Sequence, residues 1–227
     1  VDALLLADFA RVNPGERVVD LGAGAGVVAL ALSHRMKQGR VLGVEIQPRL
    51  AQCARLNFQA CPTRVTLDLL EMDWDEITLG TPGLSPDGRP VDLVTCNPPY
   101  RRLGTGRINP DHEEAVARHE IKGSALSAIR CAERLLGCGG RLALVYPAVR
   151  LVELLTNLRS LNLEPKHLRM IHSLPGDTAT LALVEAVKGA GEGLTVRPPL
   201  FLYQEENVYS REALAILAGV PAGDAAA

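Results

Sequence analysis

VVDLGAGAGVVAL, residues 18–30, passes from a short apolar strand through three alternating glycines into an apolar helix. Strand, glycine turn and helix in that order are the opening of a βαβ unit. Working outward, the strand begins at Arg17, and the helix covers 27–36 and stops at Gln38-Gly39. A second strand, RVLGVE (40–45), ends in Glu45, 19 residues after Gly26. Pro48 stands where the first turn of a helix over 48–60 begins, the position at which a missing N–H costs nothing. RVTLDL (64–69) and VDLVTC (91–96) are the third and fourth strands, separated by a polar loop, TPGLSPDGRP (81–90). A helix over 124–136 stops at Gly137-Cys138-Gly139-Gly140 and leads into a fifth strand, RLALVY (141–146). A helix over 149–161 follows, then HLRMIHS and TATLALVEAV as a closing antiparallel pair, with VRPPLFLY as an added edge strand. Upstream, LLLADFARV (4–12) has helical spacing and stops at Asn13-Pro14-Gly15. The expected fold is α/β and Rossmann-like: a mostly parallel seven-stranded sheet with helices on both faces and a C-terminal antiparallel hairpin. Ligands of such sheets sit at the carboxyl ends of the strands.

Composition narrows the function. The chain has 227 residues, 47% hydrophobic and 22% charged, which suits one domain with a buried core and excludes intrinsic disorder. No apolar run approaches membrane-spanning length, and no basic segment resembling a signal peptide opens the chain. The chain starts without Met and reads as a fragment lacking its leader, a single domain over 1–227 with 191–227 as a packed C-terminal extension. Five cysteines at 53, 61, 96, 131 and 138 show no C-x-x-C spacing. That argues against both a zinc site and a disulfide framework and fits free thiols in a reducing cytoplasm. Net charge is −2, but residues 101–172 carry 12 Lys and Arg against 7 Asp and Glu, between two acidic segments. A basic middle points to a polyanionic partner on one edge, although uneven solvated helices give the same imbalance.

Three glycines, Gly22, Gly24 and Gly26, allow a backbone to approach a ligand closely, and also allow tight strand–helix packing with no ligand at all. Dinucleotide sites favour G-x-G-x-x-G, whereas this turn is G-x-G-x-G behind Asp20. A carboxylate there suits a ligand with an ammonium group, as in S-adenosylmethionine, better than a pyrophosphate. Glu45 at the tip of the second strand can accept from both ribose hydroxyls, and Asp73 can accept from an adenine amino group or simply cap the turn that follows it. Trp74 reads as packing.

Asn97-Pro98-Pro99-Tyr100 closes the fourth strand, beside the expected ligand crevice. An exocyclic or amide nitrogen is a poor nucleophile because its lone pair is delocalised. The Asn97 side-chain oxygen and the Pro98 carbonyl supply two acceptors for its two N–H groups, and the prolines fix their direction. Tyr100 offers a flat face for a flipped base. Beyond it, Arg101, Arg102 and Arg107 lie in a glycine-containing loop, and Arg118, His119 and Lys122 continue the basic run, placed to clamp a phosphate backbone. The bland reading is a solvated loop offset by Asp111, Glu113 and Glu114. His34, His112, His167 and His172 show no ligand spacing, so no metal is expected. Cys96 closes a buried strand with no neighbouring base and is not read as a nucleophile.

Asp20-Leu21-Gly22-Ala23-Gly24-Ala25-Gly26 with Glu45 and Asn97-Pro98-Pro99-Tyr100 resembles the class I S-adenosylmethionine-dependent amino-methyltransferases. Within them the chain looks most like the bacterial tRNA(Val) adenine-N6 methyltransferases, which modify the adenosine just 3′ of the anticodon. The resemblance includes Asp2-Ala3, Leu5-Leu6-Ala7, Arg118-His119-Glu120, Pro199-Leu200 and Leu202-Tyr203. It implies S-adenosylmethionine as cofactor and a structured tRNA as substrate, with no membrane partner. It implies cofactor and catalytic roles at Asp20, Gly22, Gly24, Glu45, Asp73 and Asn97, to which the reading of the residues adds Gly26 on the cofactor side and Pro98 and Tyr100, with Asn97, on the catalytic side. The stretch that precedes Asp2 in relatives, where it helps close the cofactor pocket, is absent here. Release-factor glutamine methyltransferases share Asn-Pro-Pro-Tyr and are the alternative with the same chemistry; a non-catalytic nucleoside- or RNA-binding scaffold is the alternative without it.

Overall fold

The computed structural model describes residues 1–85, 87–98 and 125–219. Seven strands form the central sheet: β1 (Arg17–Leu21), β2 (Arg40–Glu45), β3 (Thr66–Glu71), β4 (Val91–Cys96), β5 (Leu136–Pro147), β6 (Leu163–His172) and β7 (Ala179–Lys188). Their spatial order is β3-β2-β1-β4-β5-β7-β6; β1 to β5 run parallel, and β7 is antiparallel to both β5 and β6. Two short strands, β8 (Thr195–Val196) and β9 (Leu200–Phe201), pair with β6 and bring the sheet to nine strands. A separate two-stranded ribbon joins β10 (Tyr203–Glu205) and β11 (Val208–Tyr209).

Helices α1 (Asp2–Phe9), α2 (Val27–Arg35), α3 (Pro48–Ala60), α4 (Ala125–Leu135), α5 (Leu151–Ser160) and α6 (Arg211–Leu217) cover the sheet. Because β1, β2 and β4 are buried on both sides, their side chains divide between two cores. Val19, Leu21, Val44 and Val94 face α4 and α5, whereas Val18, Val41 and Leu93 face α1 and α2. Leu5, Leu6, Ala7 and Phe9 make α1 apolar on the sheet side, and Ile216 of α6 joins the same core. Burying each of the Leu, Phe and Ile side chains contributes about 1.5–3 kcal/mol. Among the described residues no helix is long and apolar enough to cross a membrane.

Several bounds depart from expectation. The first helix is Asp2–Phe9 rather than 4–12. The third strand is Thr66–Glu71 rather than 64–69, because pairing from Arg40↔Thr66 to Glu45↔Glu71 sets its register. The fifth strand starts at Leu136 rather than 141: the partners jump from Val91↔Leu136 to Leu93↔Arg141, so Gly137–Gly140 bulge out against Asp92 alone. The helix expected over 149–161 is a 3-10 turn at 148–150 followed by α5. The polar loop 81–90 is tied to the sheet floor, where the Arg17 guanidinium donates to Ser85 Oγ at 2.9 Å and Asp87 Oδ2 at 2.5 Å.

Candidate active site

Strand order reverses between β1 and β4: the chain leaves β1 toward β2 and leaves β4 toward β5. Their carboxyl ends therefore open a crevice at which a ligand is not covered by a crossover. The last matched pairs are Leu21↔Val44 and Leu21↔Cys96, so Gly22, Glu45 and Asn97 emerge side by side. Glu45 in turn pairs with Glu71, which sets Asp73 at the end of the next strand. Residues distant in sequence are thus gathered by register alone.

Asp20 is 1% exposed, on the β1 face toward α2. Its Oδ1 accepts from the Thr95 hydroxyl at 2.7 Å, directly across the β1–β4 ladder, while Oδ2 has no hydrogen-bond partner. Burial pushes its pKa up to about 7, against the pull of the Thr95 hydroxyl and the Ala29 amide, with Glu45 adding repulsion. Glu45 is 4% exposed and each oxygen takes a backbone amide: Oε2 from Gly24 and Oε1 from Gln47, both at 2.8 Å. Each oxygen retains a second lone pair, the capacity a ribose diol requires.

The three glycines differ in what they do. All three have positive φ, +68° at Gly22, +56° at Gly24 and +84° at Gly26, so backbone conformation does not tell them apart. A Cβ on Gly26 would lie 2.4 Å from the Phe58 ring, so this glycine serves the contact of the turn with α3. A Cβ on Gly22 would lie 3.0 Å from the Trp74 ring. Gly24 alone has nothing within 4 Å and stands over open space. Tight packing thus accounts for Gly22 and Gly26, and leaves Gly24 as the glycine of the turn with open space beside it. Gly26 also precedes α2 as its N-cap, so the partly positive end of that helix begins directly after the glycine turn.

Asp73 caps the 3-10 turn Trp74–Glu76, its Oδ1 accepting from Asp75 N at 3.0 Å. Trp74 packs under Gly22 and donates from Nε1 to Ser127 Oγ at 2.6 Å, and Ser127 donates on to Asp75 at 2.8 Å. The Arg134 guanidinium closes the carbonyls of Trp74, Asp75 and Ile77. Together Ser127 and Arg134 fasten the wall of the crevice to α4, a role not visible in the sequence because the partners lie 52 to 60 residues apart. Sequence reasoning also passes over Thr95, whose one signal is a lone hydroxyl in the otherwise apolar end of VDLVTC.

Asn97 follows β4 directly, partly exposed, and Pro98 is buried. Pro99 and Tyr100, and the basic residues Arg101, Arg102, Arg107, Arg118, His119 and Lys122, lie outside the described residues. Cys96 is fully buried, and burial together with nearby Asp20 pushes its pKa well up, so it stays a thiol. Among the described residues no group of three or more His, Cys, Asp or Glu is arranged to hold a metal ion. A cavity of about 640 Å³ does exist, but at the opposite end of the sheet, against Arg17, Asp92 and the 137–140 bulge. It lies away from the acids and the glycine turn and has no part in this site.

An unpaired buried carboxylate oxygen, an acid at the second strand tip and open space over Gly24 fit a nucleoside that carries an ammonium group. On this sheet topology they define a class I S-adenosylmethionine-dependent methyltransferase. The chain belongs to the methyltransferase small domain family, whose model matches residues 2–153. A tRNA1(Val) (adenine(37)-N6)-methyltransferase of Porphyromonas gingivalis is 32% identical over 183 residues, 77% of this chain and 68% of that protein. One of the same name from Yersinia pestis is 28% identical over 212 residues, 93% of this chain and 82% of that one. The crystal structure of a predicted O-methyltransferase from Agrobacterium tumefaciens superposes with a TM-score of 0.74 at 25% identity, covering 98% of each chain.

Proposed function

We propose that the protein methylates the exocyclic N6 of an adenine in tRNA. The observation that carries this reading is the register that sets Asn97-Pro98 beside the glycine turn and Glu45, so that an acceptor for an N–H and a nucleoside-binding acid share one crevice. The relatives named as tRNA adenine-N6 methyltransferases extend the same reading to the substrate.

S-adenosylmethionine supplies an electrophilic methyl group on a sulfonium. The chain's residues bind and orient around it. Glu45 accepts from the ribose hydroxyls while the Gly24 and Gln47 amides hold its carboxylate in place. Asp20 answers the ammonium group, and Gly24 allows close approach. Asp73, whose carboxylate is already ordered as a cap, accepts from the adenine amino group. Gly22 and Gly26 keep the turn seated on Trp74 and Phe58. Asn97 and the Pro98 carbonyl accept from the two N–H groups of the target nitrogen and draw its lone pair out of conjugation. That nitrogen becomes cationic as it attacks, so its proton leaves afterward to solvent without a strong base. Tyr100 stacks on the target base. Arg101, Arg102, Arg107, Arg118, His119 and Lys122 grip the RNA backbone and act in the cytoplasm, where tRNA is the polyanion at hand. Residues 1–227 act as one domain. The pairing of β8 and β9 with β6, and of Arg169 with Glu212 of α6, supports 191–227 as an extension of it.

The test supplies labelled S-adenosylmethionine with unmodified bulk tRNA and, separately, a release factor, followed by nucleoside and amino-acid analysis. Label in N6-methyladenosine is expected. Label in N5-methylglutamine or in a 2′-O-methyl nucleoside overturns the acceptor, and binding of RNA without label leaves a scaffold.

A further inference from the structure

Asp20 is the most buried charged side chain near the crevice, and its side-chain hydrogen bond comes from β4 rather than from the glycine turn. Thr95, itself fully buried, stands opposite Asp20 in the ladder and spends its one hydroxyl proton on Oδ1 at 2.7 Å. Oδ2 is left without a partner. A buried carboxylate with one satisfied and one unsatisfied oxygen is costly as an anion unless a cation arrives at the second. The two strands that hold this pair are those whose ends hold the glycine turn and Asn97, so any ligand reaching the crevice sits above it.

We propose that Thr95 is a positioning residue for the cofactor's amino group: its hydroxyl holds one oxygen of the Asp20 carboxylate in the ionised form, and the other oxygen receives the ammonium. This rests on the reading of S-adenosylmethionine as cofactor. The groups that face Asp20 are few. Glu45 at the end of β2 repels its charge, the Ala29 amide of α2 and the Thr95 hydroxyl favour it, and the Cys96 thiol of β4 is kept neutral beside it. Among the described residues no cation is among these neighbours. In the ligand-free protein Asp20 is poised near neutrality, with its pKa at about 7. An arriving ammonium favours the ionised form, so binding releases a proton from Asp20 to solvent. No covalent bond changes in this step.

The experiment is calorimetric titration of the full chain in two buffers of different ionisation enthalpy, between about pH 5.5 and 7, where the ligand's own amine is largely protonated. The probes are S-adenosylmethionine and 5′-methylthioadenosine, which keeps the nucleoside and lacks the amino-acid arm. Wild type should release most of a proton with S-adenosylmethionine at the acid end and none with methylthioadenosine, the fraction shrinking as pH rises toward about 7. Thr95→Val keeps the side-chain shape and removes the donor. It should weaken S-adenosylmethionine about tenfold at pH 7, release more proton per ligand, and move the pH profile upward, with methylthioadenosine affinity unchanged. Thr95→Ser should restore the wild-type profile. An unchanged profile in Thr95→Val, or an equal loss of both ligands, overturns the role of Thr95. Binding of methylthioadenosine without any proton release by S-adenosylmethionine in wild type overturns the Asp20 step while the nucleoside site stands; failure of both ligands to bind wild type overturns the cofactor reading beneath it.

Discussion

Two glycine runs sit at opposite ends of the same sheet. GAGAG (22–26) follows β1 at the carboxyl ends of the parallel strands, and GCGG (137–140) enters β5 at the amino ends. Each contains at least one glycine with positive φ, and the second borders a cavity of about 640 Å³. The first is surrounded by carboxylates with spare acceptor capacity, Asp20 and Glu45, and by the strand end that carries Asn97. Around the second, the ionic groups mostly bind one another: Arg17 is bound by Asp87 and Ser85, and Arg141 by Glu16, with the buried Arg141 Nε left as an unpaired donor. The two runs differ in the kind of polar capacity left beside them: spare carboxylate acceptors at the carboxyl ends of the strands, and at the amino ends a single unpaired guanidinium donor within an ion pair. Glycine count and cavity volume do not make that distinction.

The hardest test of this contrast is Asn97→Ala at the GAGAG end. It should lower kcat by on the order of a hundred- to a thousand-fold, the loss expected when one group that engages the developing charge is removed. Cofactor affinity should change far less. Methyl incorporation into tRNA beside equilibrium binding of S-adenosylmethionine separates the two, and a loss confined to binding would assign Asn97 to the cofactor alone.

Asp20→Asn should move function and stability in opposite directions. Cofactor affinity should fall about ten- to a hundred-fold, since a charge-assisted contact is lost. The sign for stability follows from the pKa, which rises from 3.8 unfolded to about 7 folded. Below about pH 4 the group is neutral in both states and costs nothing. As pH rises from about 4 to about 7 the unfolded chain ionises more readily, so the folded state loses stability, by roughly 4 kcal/mol once pH exceeds 7. Asp20→Asn removes that penalty, and its melting temperature at pH 8 should exceed that of wild type by more than it does at pH 5. An equal difference at both values would mean that Asp20 is ionised without cost.

Much of this end of the molecule is legible in the amino-acid sequence. β1, β2, α3 and β4 fall where apolar runs bounded by Gly, Pro and a terminal acid place them. Asp20, Glu45 and Asn97 stand out because strand tips are where such residues do not fill a core. The errors come from pairing. Nothing local in RVTLDL announces that β2 sets its register, and Gly137–Gly140 read as a helix stop because a bulge is defined only by the opposing strand. Thr95, Ser127 and Arg134 are hidden for a related reason: each matters through contact with a residue more than 50 positions away. Gly22 and Gly26 are visible as a motif, but their packing against Trp74 and Phe58 is not.

Within the GAGAG turn itself the contrast can be sharpened by alanine at two positions. Gly26→Ala drives a Cβ to within 2.4 Å of the Phe58 ring at φ +84°, and it should cost about 2–4 kcal/mol of stability by strain and overpacking combined. Gly24→Ala meets no neighbour at φ +56°, so denaturant unfolding should show only the backbone cost of about 1–2 kcal/mol, while cofactor affinity should drop. If Gly26→Ala were the variant that lost cofactor at unchanged stability, the division between packing and binding glycines would be wrong.

The smallest effect belongs to the other run. Gly139 has φ +78° and open space where a Cβ would go, the same local geometry as Gly24. Gly139→Ala should therefore cost a similar amount, about 1–2 kcal/mol, in denaturant unfolding. Because the 137–140 bulge stands at the amino ends of β4 and β5, far from Glu45 and Asn97, it should leave cofactor affinity and kcat at their wild-type values. Two glycines matched in backbone and in steric freedom then differ in a single readout, ligand binding. A loss of cofactor affinity in Gly139→Ala equal to that in Gly24→Ala would show that backbone strain passes through the sheet to the crevice, and that position at the strand end is not what makes the first turn a binding site.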